Sequence, residues 1–211
     1  MRQAPVRLLC AERLVREVHA ARYVLDVGSG GRRLAPHVLT TDVVRRANVD
    51  VVADLCGKLP FWDEAFDLVV CTSVLEHVSD DISAVRELTR ILRPGGRLWL
   101  EIPFLYHFHV SNSGDVYDFR RWTLEGAKRL FPNMRLLDWG HNVGPGTSLR
   151  LIAAEVLAMP FHHPRHEGLY YLVRWSLGWM LYPLSWLDKL CISRAVSARA
   201  TGGFWLLWQK T

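Results

Sequence analysis

The segment Val24-Leu25-Asp26-Val27-Gly28-Ser29-Gly30-Gly31 constrains this chain more than any other: a short apolar run ends in an acid and a glycine loop. A run of this length rich in valine and leucine reads as a buried strand. Glycine carries no Cβ and tolerates positive φ, so the loop after the strand lets backbone come close to a ligand. A dinucleotide loop needs its third glycine at position 33, where Arg33 stands, and this weakens a pyrophosphate reading. An acid two residues before the first glycine suits a cationic ligand with an amino group to be oriented.

Further apolar runs recur at 38–43, 49–53, 66–71 and 97–102 and read as strands. Between the last two, Ser79, Asp80 and Asp81 offer N-cap chemistry, and Ile82, Val85, Leu88, Ile91 and Leu92 form a helical stripe. Pro94-Gly95-Gly96 ends it. That is a βαβ unit, and strands alternating with helices imply a parallel sheet. Upstream, Val6, Leu9, Cys10, Leu14 and Val18 predict an amphipathic helix over 4–20. Downstream, a helix is expected over 123–131 and strands over 134–139 and 203–208. The gap between those two strands, roughly sixty residues, far exceeds a hairpin loop of about 2–5 residues. A helical insertion is therefore expected at 144–200, within a single domain spanning 1–211.

The formal charge of +5 is unevenly placed, with five arginines against two glutamates in residues 1–22. No run of like charge is long enough for a nucleic-acid arm, so no nucleic-acid partner is expected. Four scattered cysteines form no CxxC pair, and the N-terminus lacks the apolar core of a secretory signal. A cytoplasmic setting is the expectation. His162, His163 and His166 are broken up by Pro164 and lack an acid or cysteine to complete a set, so no metal is expected.

Five segments in order, LDVGSG at 25–30, Asp42, Asp54 followed by Leu59-Pro60-Phe61, FDLVVCTSVLEHV at 66–78 and LRPGGRLWLEIP at 92–103, resemble the class I S-adenosylmethionine-dependent methyltransferases of the type 11 group. The resemblance implies an α/β fold: a Rossmann-like seven-stranded sheet, parallel with an antiparallel last strand, here with an aromatic-rich helical insertion between strands six and seven. It implies S-adenosyl-L-methionine as cofactor. Asp26, Gly28, Ser29 and Gly30 would line its methionine end, Asp42 would hold the ribose hydroxyls, Asp54 and Leu55 would meet the adenine, and Cys71 and Thr72 would close the site at the end of strand four. On the residues alone, a turn cap is the competing reading for Asp26 and loop solvation that for Asp42 and Asp54. Only about seven residues separate the glycine loop from strand two, so the first helix of the sheet is short or missing.

Glu76 and His77 follow strand four. An imidazole with an ordinary pKa near 6.5 suits general-base work at neutral pH, and packing of the loop is the competing reading for His77. His109 followed by Asp118-Phe119-Arg120-Arg121-Trp122-Thr123 resembles a block found in methyltransferases encoded among polysaccharide and cell-envelope genes. An imidazole, a carboxylate and two guanidinium groups suit a sugar or an acidic head group. His77 and His109 are thus the candidate catalytic residues, and Glu76, Asp118 and Arg121 the candidate acceptor-binding residues. An Asp118–Arg121 pair that merely fixes the loop, with Thr123 capping the next helix, is the structural alternative.

From 169 to 187 the only formally charged residue is Arg174, among Trp175, Trp179, Trp186 and three tyrosines. The segment reads as a cap over the acceptor, an extra packing layer, or an interfacial element in peripheral contact with the membrane. Methyl transfer to a small-molecule, saccharide or lipid-linked acceptor, at oxygen, is the expected function. A quinone-like acceptor and a catalytically silent, membrane-associated cofactor-binding module are the alternatives.

Overall fold

The computed structural model describes residues 10–109, 117–163, 165–190 and 193–211. Seven strands form one sheet: β1 (Val24–Val27), β2 (Val38–Asp42), β3 (Val51–Val52), β4 (Phe66–Thr72), β5 (Leu92–Pro103), β6 (Met134–Val143) and β7 (Gly203–Lys210). Their order is β3-β2-β1-β4-β5-β7-β6. The β2–β3, β1–β2, β1–β4 and β4–β5 pairings are parallel, and the antiparallel component lies at the end of the chain. The expected α/β class therefore holds. The chain passes from β1 outward to β2 and β3, then returns to place β4 on the other side of β1. Such a reversal opens a crevice at the carboxyl ends of β1 and β4, where open α/β sheets bind ligands.

Among the described residues the chain divides into two compact units. The larger comprises 10–103, 109–140 and 204–211. Its central strands β1, β4 and β5 are buried on both faces, with Leu25, Leu68, Val70, Leu98 and Trp99 all fully enclosed, which is why they read as unbroken apolar runs rather than alternating ones. Helix α1 (Ala11–Ala20) lays Leu14 and Val18 on Val24, Val38 and Val70. Burial of each such side chain contributes about 1.5–3 kcal/mol. Positions 4–9 of the expected helix lie outside the described residues. Trp99 stacks on Trp205 with ring centroids 4.8 Å apart, locking β5 to β7.

Helix α2 (Asp81–Arg90) starts where Asp80 Oδ1 accepts from the Ser83 amide at 3.0 Å, and packs Ala84, Val85 and Leu88 inward. The Pro94-Gly95-Gly96 turn does more than stop this helix. The strand already begins at Leu92, and its register against β4 jumps from Phe66↔Leu92 to Leu68↔Arg97, so the turn is looped out of the strand. Between β1 and β2 there is no helix, as the short spacing implied. Helix α3 (Leu124–Leu130) is capped by Thr123 Oγ1, which accepts from the Gly126 amide at 3.1 Å.

The second unit comprises 104–108 and 141–203 and is helical. Helix α4 (Pro145–Ala158) has no cap of its own, and Asp188 supplies one. Its Oδ1 accepts from the Gly146 amide at 2.7 Å and its Oδ2 from the Thr147 hydroxyl at 2.6 Å. Glu155 ties α4 to α5 (Glu167–Met180) through Arg174 Nε at 2.5 Å and the Tyr170 hydroxyl. A short helix α6 (Arg194–Ser197) precedes the return to β7. Helix α5 has 14 residues. At 1.5 Å per residue it is about 21 Å long, short of the roughly 30 Å hydrocarbon layer. Among the described residues no helix is long and apolar enough to cross a membrane.

Candidate functional site

The glycine loop is built by its backbone. Gly28 and Gly30 sit at φ +66° and +63°, where a side chain is strained. A Cβ on Gly28 would lie 2.4 Å from Val74 Cγ2, whereas one on Gly30 would meet nothing within 4 Å. The first glycine thus permits close packing of loop against loop, and the second leaves backbone open to the crevice. Asp42, at the carboxyl end of β2, accepts from the Gly30 amide at 2.7 Å and from the Val44 amide at 2.9 Å. Its carboxylate fixes the loop and still has lone pairs for a ligand's hydroxyls. Ser29 is buried, its amide donates to the Thr41 carbonyl, and its Oγ accepts from the Gly31 amide at 3.3 Å.

Asp26 is completely enclosed, and burial pushes its carboxyl up to about 6 despite the facing Arg32 guanidinium. Arg32 Nη2 lies 3.0 Å from Asp26 Oδ2 and also donates to Thr72 Oγ1 at 2.8 Å. The buried acid is therefore paired with a cation of the chain's own. Asp54 Oδ1 accepts from the Cys56 amide at 2.8 Å, and Leu55 beside it is buried.

Gly28, Gly30, Asp42, Asp54 and Leu55 line one cavity of about 630 Å³ together with Val74 and His77. Pockets for nucleoside-sized ligands span roughly 300–1,000 Å³. Cys71 and Thr72 do not line it, and neither do Asp26 and Ser29. The Cys71 thiol is sealed in β4, where burial raises its pKa far above the ordinary thiol range. The sequence assigns no role to Arg32, Val74 and Tyr117, and marks Ser73 and Phe119 only as members of the segments 71–73 and 118–123. Ser73 and Val74 were legible, since they sit between the end of β4 and the Glu76–His77 pair. Tyr117 and Phe119 lie far along the chain and reach the cavity only through the fold.

The second constellation sits on the single helical turn Leu75–His77 and on the segment 117–122. The Phe119 amide donates to the Glu76 carbonyl at 2.7 Å, and Arg120 donates to the carbonyls of Val78 and Ser79 at 2.7 and 2.8 Å. These bonds latch the downstream block onto the turn. His77 Nδ1 donates to the Tyr117 carbonyl at 2.7 Å. The His77 and His109 rings meet edge to face, with centroids 5.1 Å apart. Asp118 accepts from the His109 amide at 2.8 Å, lies 3.3 Å from His109 Nδ1, and receives Arg121 Nη2 at 2.6 Å. Burial would raise the Asp118 carboxyl, but Arg121, the His109 amide and the His109 ring hold it below the usual range.

Glu76 is buried completely, and neither carboxylate oxygen has a hydrogen-bond partner among the described residues. Burial is the main reason its carboxyl rises to about 7. The structure therefore brings Glu76, His77, His109, Asp118 and Arg121 together. The Asp118–Arg121 pair and the Thr123 cap expected from a purely structural reading are also present.

Residues 13–100 match the family described as Methyltransferase domain. The ubiquinone/menaquinone biosynthesis C-methyltransferase UbiE of Hahella chejuensis is 41% identical over 81 residues, 38% of this chain and 32% of that protein. The uncharacterized methyltransferase YcgJ of Bacillus subtilis is 30% identical over 144 residues, covering 54% of this chain and 57% of that protein. The chain thus spans from about a third to somewhat over half the length of these relatives. In fold it is similar to the 1,6-didemethyltoxoflavin-N1-methyltransferase of Burkholderia thailandensis, solved with bound S-adenosylhomocysteine. The TM-score is 0.56 at 13% identity, over 96% of this chain and 77% of that one. Over residues 13–100 the family match, the sheet order and the glycine loop agree: this part of the chain is similar to a methyltransferase domain.

Proposed function

We propose that the chain transfers a methyl group from S-adenosylmethionine to an oxygen of a small-molecule acceptor held by Glu76, His77, His109, Asp118 and Arg121. One observation carries this reading: His77 belongs to the titratable cluster and also lines the cavity of the glycine loop. The cofactor supplies an electrophilic methyl on a sulfonium, and displacement leaves a neutral thioether. Asp26 faces its ammonium in place of Arg32, Asp42 takes the ribose hydroxyls, and Asp54 with Leu55 takes the adenine. The acceptor oxygen forms the new C–O bond as the S–C bond breaks, and its proton passes to water. Positioning is the larger part of such catalysis, because alignment of two bound reactants alone lowers the barrier by about 7–11 kcal/mol in favourable cases.

The carboxylate, guanidinium and imidazole of Asp118, Arg121 and His109 suit a saccharide or the head group of a lipid-linked intermediate. Peripheral membrane contact through 169–187 fits such an acceptor. Exposed Leu169, Tyr171, Leu172, Trp179, Met180 and Trp186 support it, being the apolar and aromatic side chains that settle at headgroup level. A quinone-like acceptor methylated at carbon is the second reading, favoured by the similarity to UbiE. Calorimetry with S-adenosylmethionine and S-adenosylhomocysteine tests the donor, and binding of neither overturns the methyltransferase reading. Turnover with extracted envelope glycans and lipids, set against turnover with demethylated quinols, decides the acceptor.

A further inference from the structure

Glu76 is a buried carboxylate whose two oxygens have no hydrogen-bond partner among the described residues. Such a group is tolerated when it is neutral, paired, or bound to a metal ion. One ligand atom each from Glu76, His77 and His109 lie within 4.8 Å of one another. A triangle with edges of that length has its centre about 2.8 Å from each corner, and ligand distances to zinc are about 2.0–2.2 Å, so side-chain movements of well under 1 Å would close it.

We infer that Glu76, His77 and His109 bind one divalent transition-metal ion, and that its open positions receive the acceptor oxygen. The second half rests on the methyl-transfer reading above; metal binding itself does not. Both imidazoles are already oriented from behind. A carbonyl oxygen only accepts, so His77 presents Nδ1–H to Tyr117 and carries its lone pair on Nε2. Asp118, paired with Arg121, accepts from the His109 amide and lies 3.3 Å from His109 Nδ1, so its charge favours a proton on Nδ1 and leaves the lone pair of the neutral ring on Nε2. A carboxylate or carbonyl behind each ligating histidine is the usual second layer of a metal site, fixing tautomer and ring orientation.

Two imidazoles and one carboxylate favour Zn²⁺, Mn²⁺, Co²⁺ or Fe²⁺ over Mg²⁺ and Ca²⁺, which prefer all-oxygen sets. Three protein ligands leave room for an exogenous oxygen, as in catalytic zinc sites. A hydroxyl bound there loses its proton to water more readily than in solution. The resulting alkoxide attacks the methyl carbon, and the electron pair of the broken S–C bond stays on sulfur. The site neighbours the cavity of the glycine loop through His77, which gives the ion a place beside the transferred methyl.

The test uses the full chain, stripped with chelator, dialysed, and titrated with Zn²⁺ by calorimetry and with Co²⁺ by visible absorption. One ion per chain is expected, with Co²⁺ bands of a nitrogen–oxygen site. His77→Ala, His109→Ala and Glu76→Gln are each expected to weaken binding at least 100-fold. His163→Ala, which removes a histidine outside the cluster, is expected to leave it unchanged. S-adenosylhomocysteine binding retained by a variant shows that it folds, and any one folded variant suffices. Absence of a stoichiometric ion, or folded variants that bind as the parent does, overturns the site. Methyl transfer indifferent to chelator while the ion is bound overturns its role with the acceptor. Failure to bind S-adenosylhomocysteine, with the metal titration intact, counts against the methyltransferase reading alone.

Discussion

Gly28→Ala and Gly30→Ala, though two residues apart in one loop, should behave differently. Both sites have positive φ, so each alanine meets backbone strain of about 1–2 kcal/mol, offset by about 0.4–1 kcal/mol from the stiffer unfolded chain. The Gly30 Cβ meets nothing further, so Gly30→Ala should cost about 1 kcal/mol. The Gly28 Cβ would stand 2.4 Å from Val74 Cγ2 and 3.2 Å from Val74 Cγ1, an overlap that forces one loop off the other. Overpacking of that kind adds about 1–3 kcal/mol, and the gap between the two variants should match it. For a chain of this size each kcal/mol moves Tm by about 2–4 °C. Urea unfolding should show a lower midpoint with an unchanged slope. Adding Val74→Ala should recover most of the excess, so that the double-mutant cycle reports a coupling of about 1–3 kcal/mol. Cofactor affinity should rank differently, because the Gly30 methyl enters the cavity. Equal destabilisation by the two substitutions, or a cycle with no coupling, would refute the packing of the glycine loop on Val74.

Asp26 should give S-adenosylhomocysteine binding a pH dependence: the ionised acid is the form that holds an ammonium, and its carboxyl sits at about 6, so calorimetry should find affinity about tenfold lower at pH 5 than at pH 7. Without ligand the sign reverses, because the folded chain keeps a proton that the unfolded chain releases above pH 4. Stability on the order of 3 kcal/mol should be lost between about pH 4 and 6, and Asp26→Asn should flatten that slope in urea titrations. Asp188→Ala removes the acceptor that caps α4 and should cost about 1–2 kcal/mol, read as a lower thermal midpoint with cofactor affinity unchanged. Replacing Trp179 and Trp186 by serine should abolish sedimentation with anionic liposomes; Trp175, half-buried, is the poorer choice, and unchanged sedimentation would count against the interfacial reading.

The sheet was legible because strands buried on both faces leave contiguous apolar runs, and 24–27, 38–42 and 66–72 are of that kind. The looped-out Pro94-Gly95-Gly96 was not, since a turn that ends a helix and one that interrupts a strand use the same residues. Asp26 and Asp42 were marked by their places within and at the end of apolar strands. Arg32 facing Asp26 was hidden, because the pairing depends on a loop conformation that composition does not encode. The unpartnered state of Glu76 was hidden for a related reason: it follows from what packs around the turn. His109, one of its neighbours, stands 32 positions beyond His77, whereas the conspicuous histidines at 162–166 belong to no group of three ligand side chains among the described residues.

Val74 links these two levels. It is the side chain that Gly28 leaves room for, and it directly precedes the turn that carries Glu76 and His77. Ser73, at φ +54° with its amide bound to the Glu101 carbonyl at 3.0 Å, sets the direction in which that turn leaves β4. The position of His77 therefore depends on contact between two loops that each end a central strand. A group added at Gly28 should displace His77 as well as the glycine loop, so Gly28→Ala should lower kcat more than its effect on cofactor affinity explains, and Val74→Ala should restore both together. A glycine loop that served only the methyl donor would instead raise the KM for cofactor and leave kcat alone.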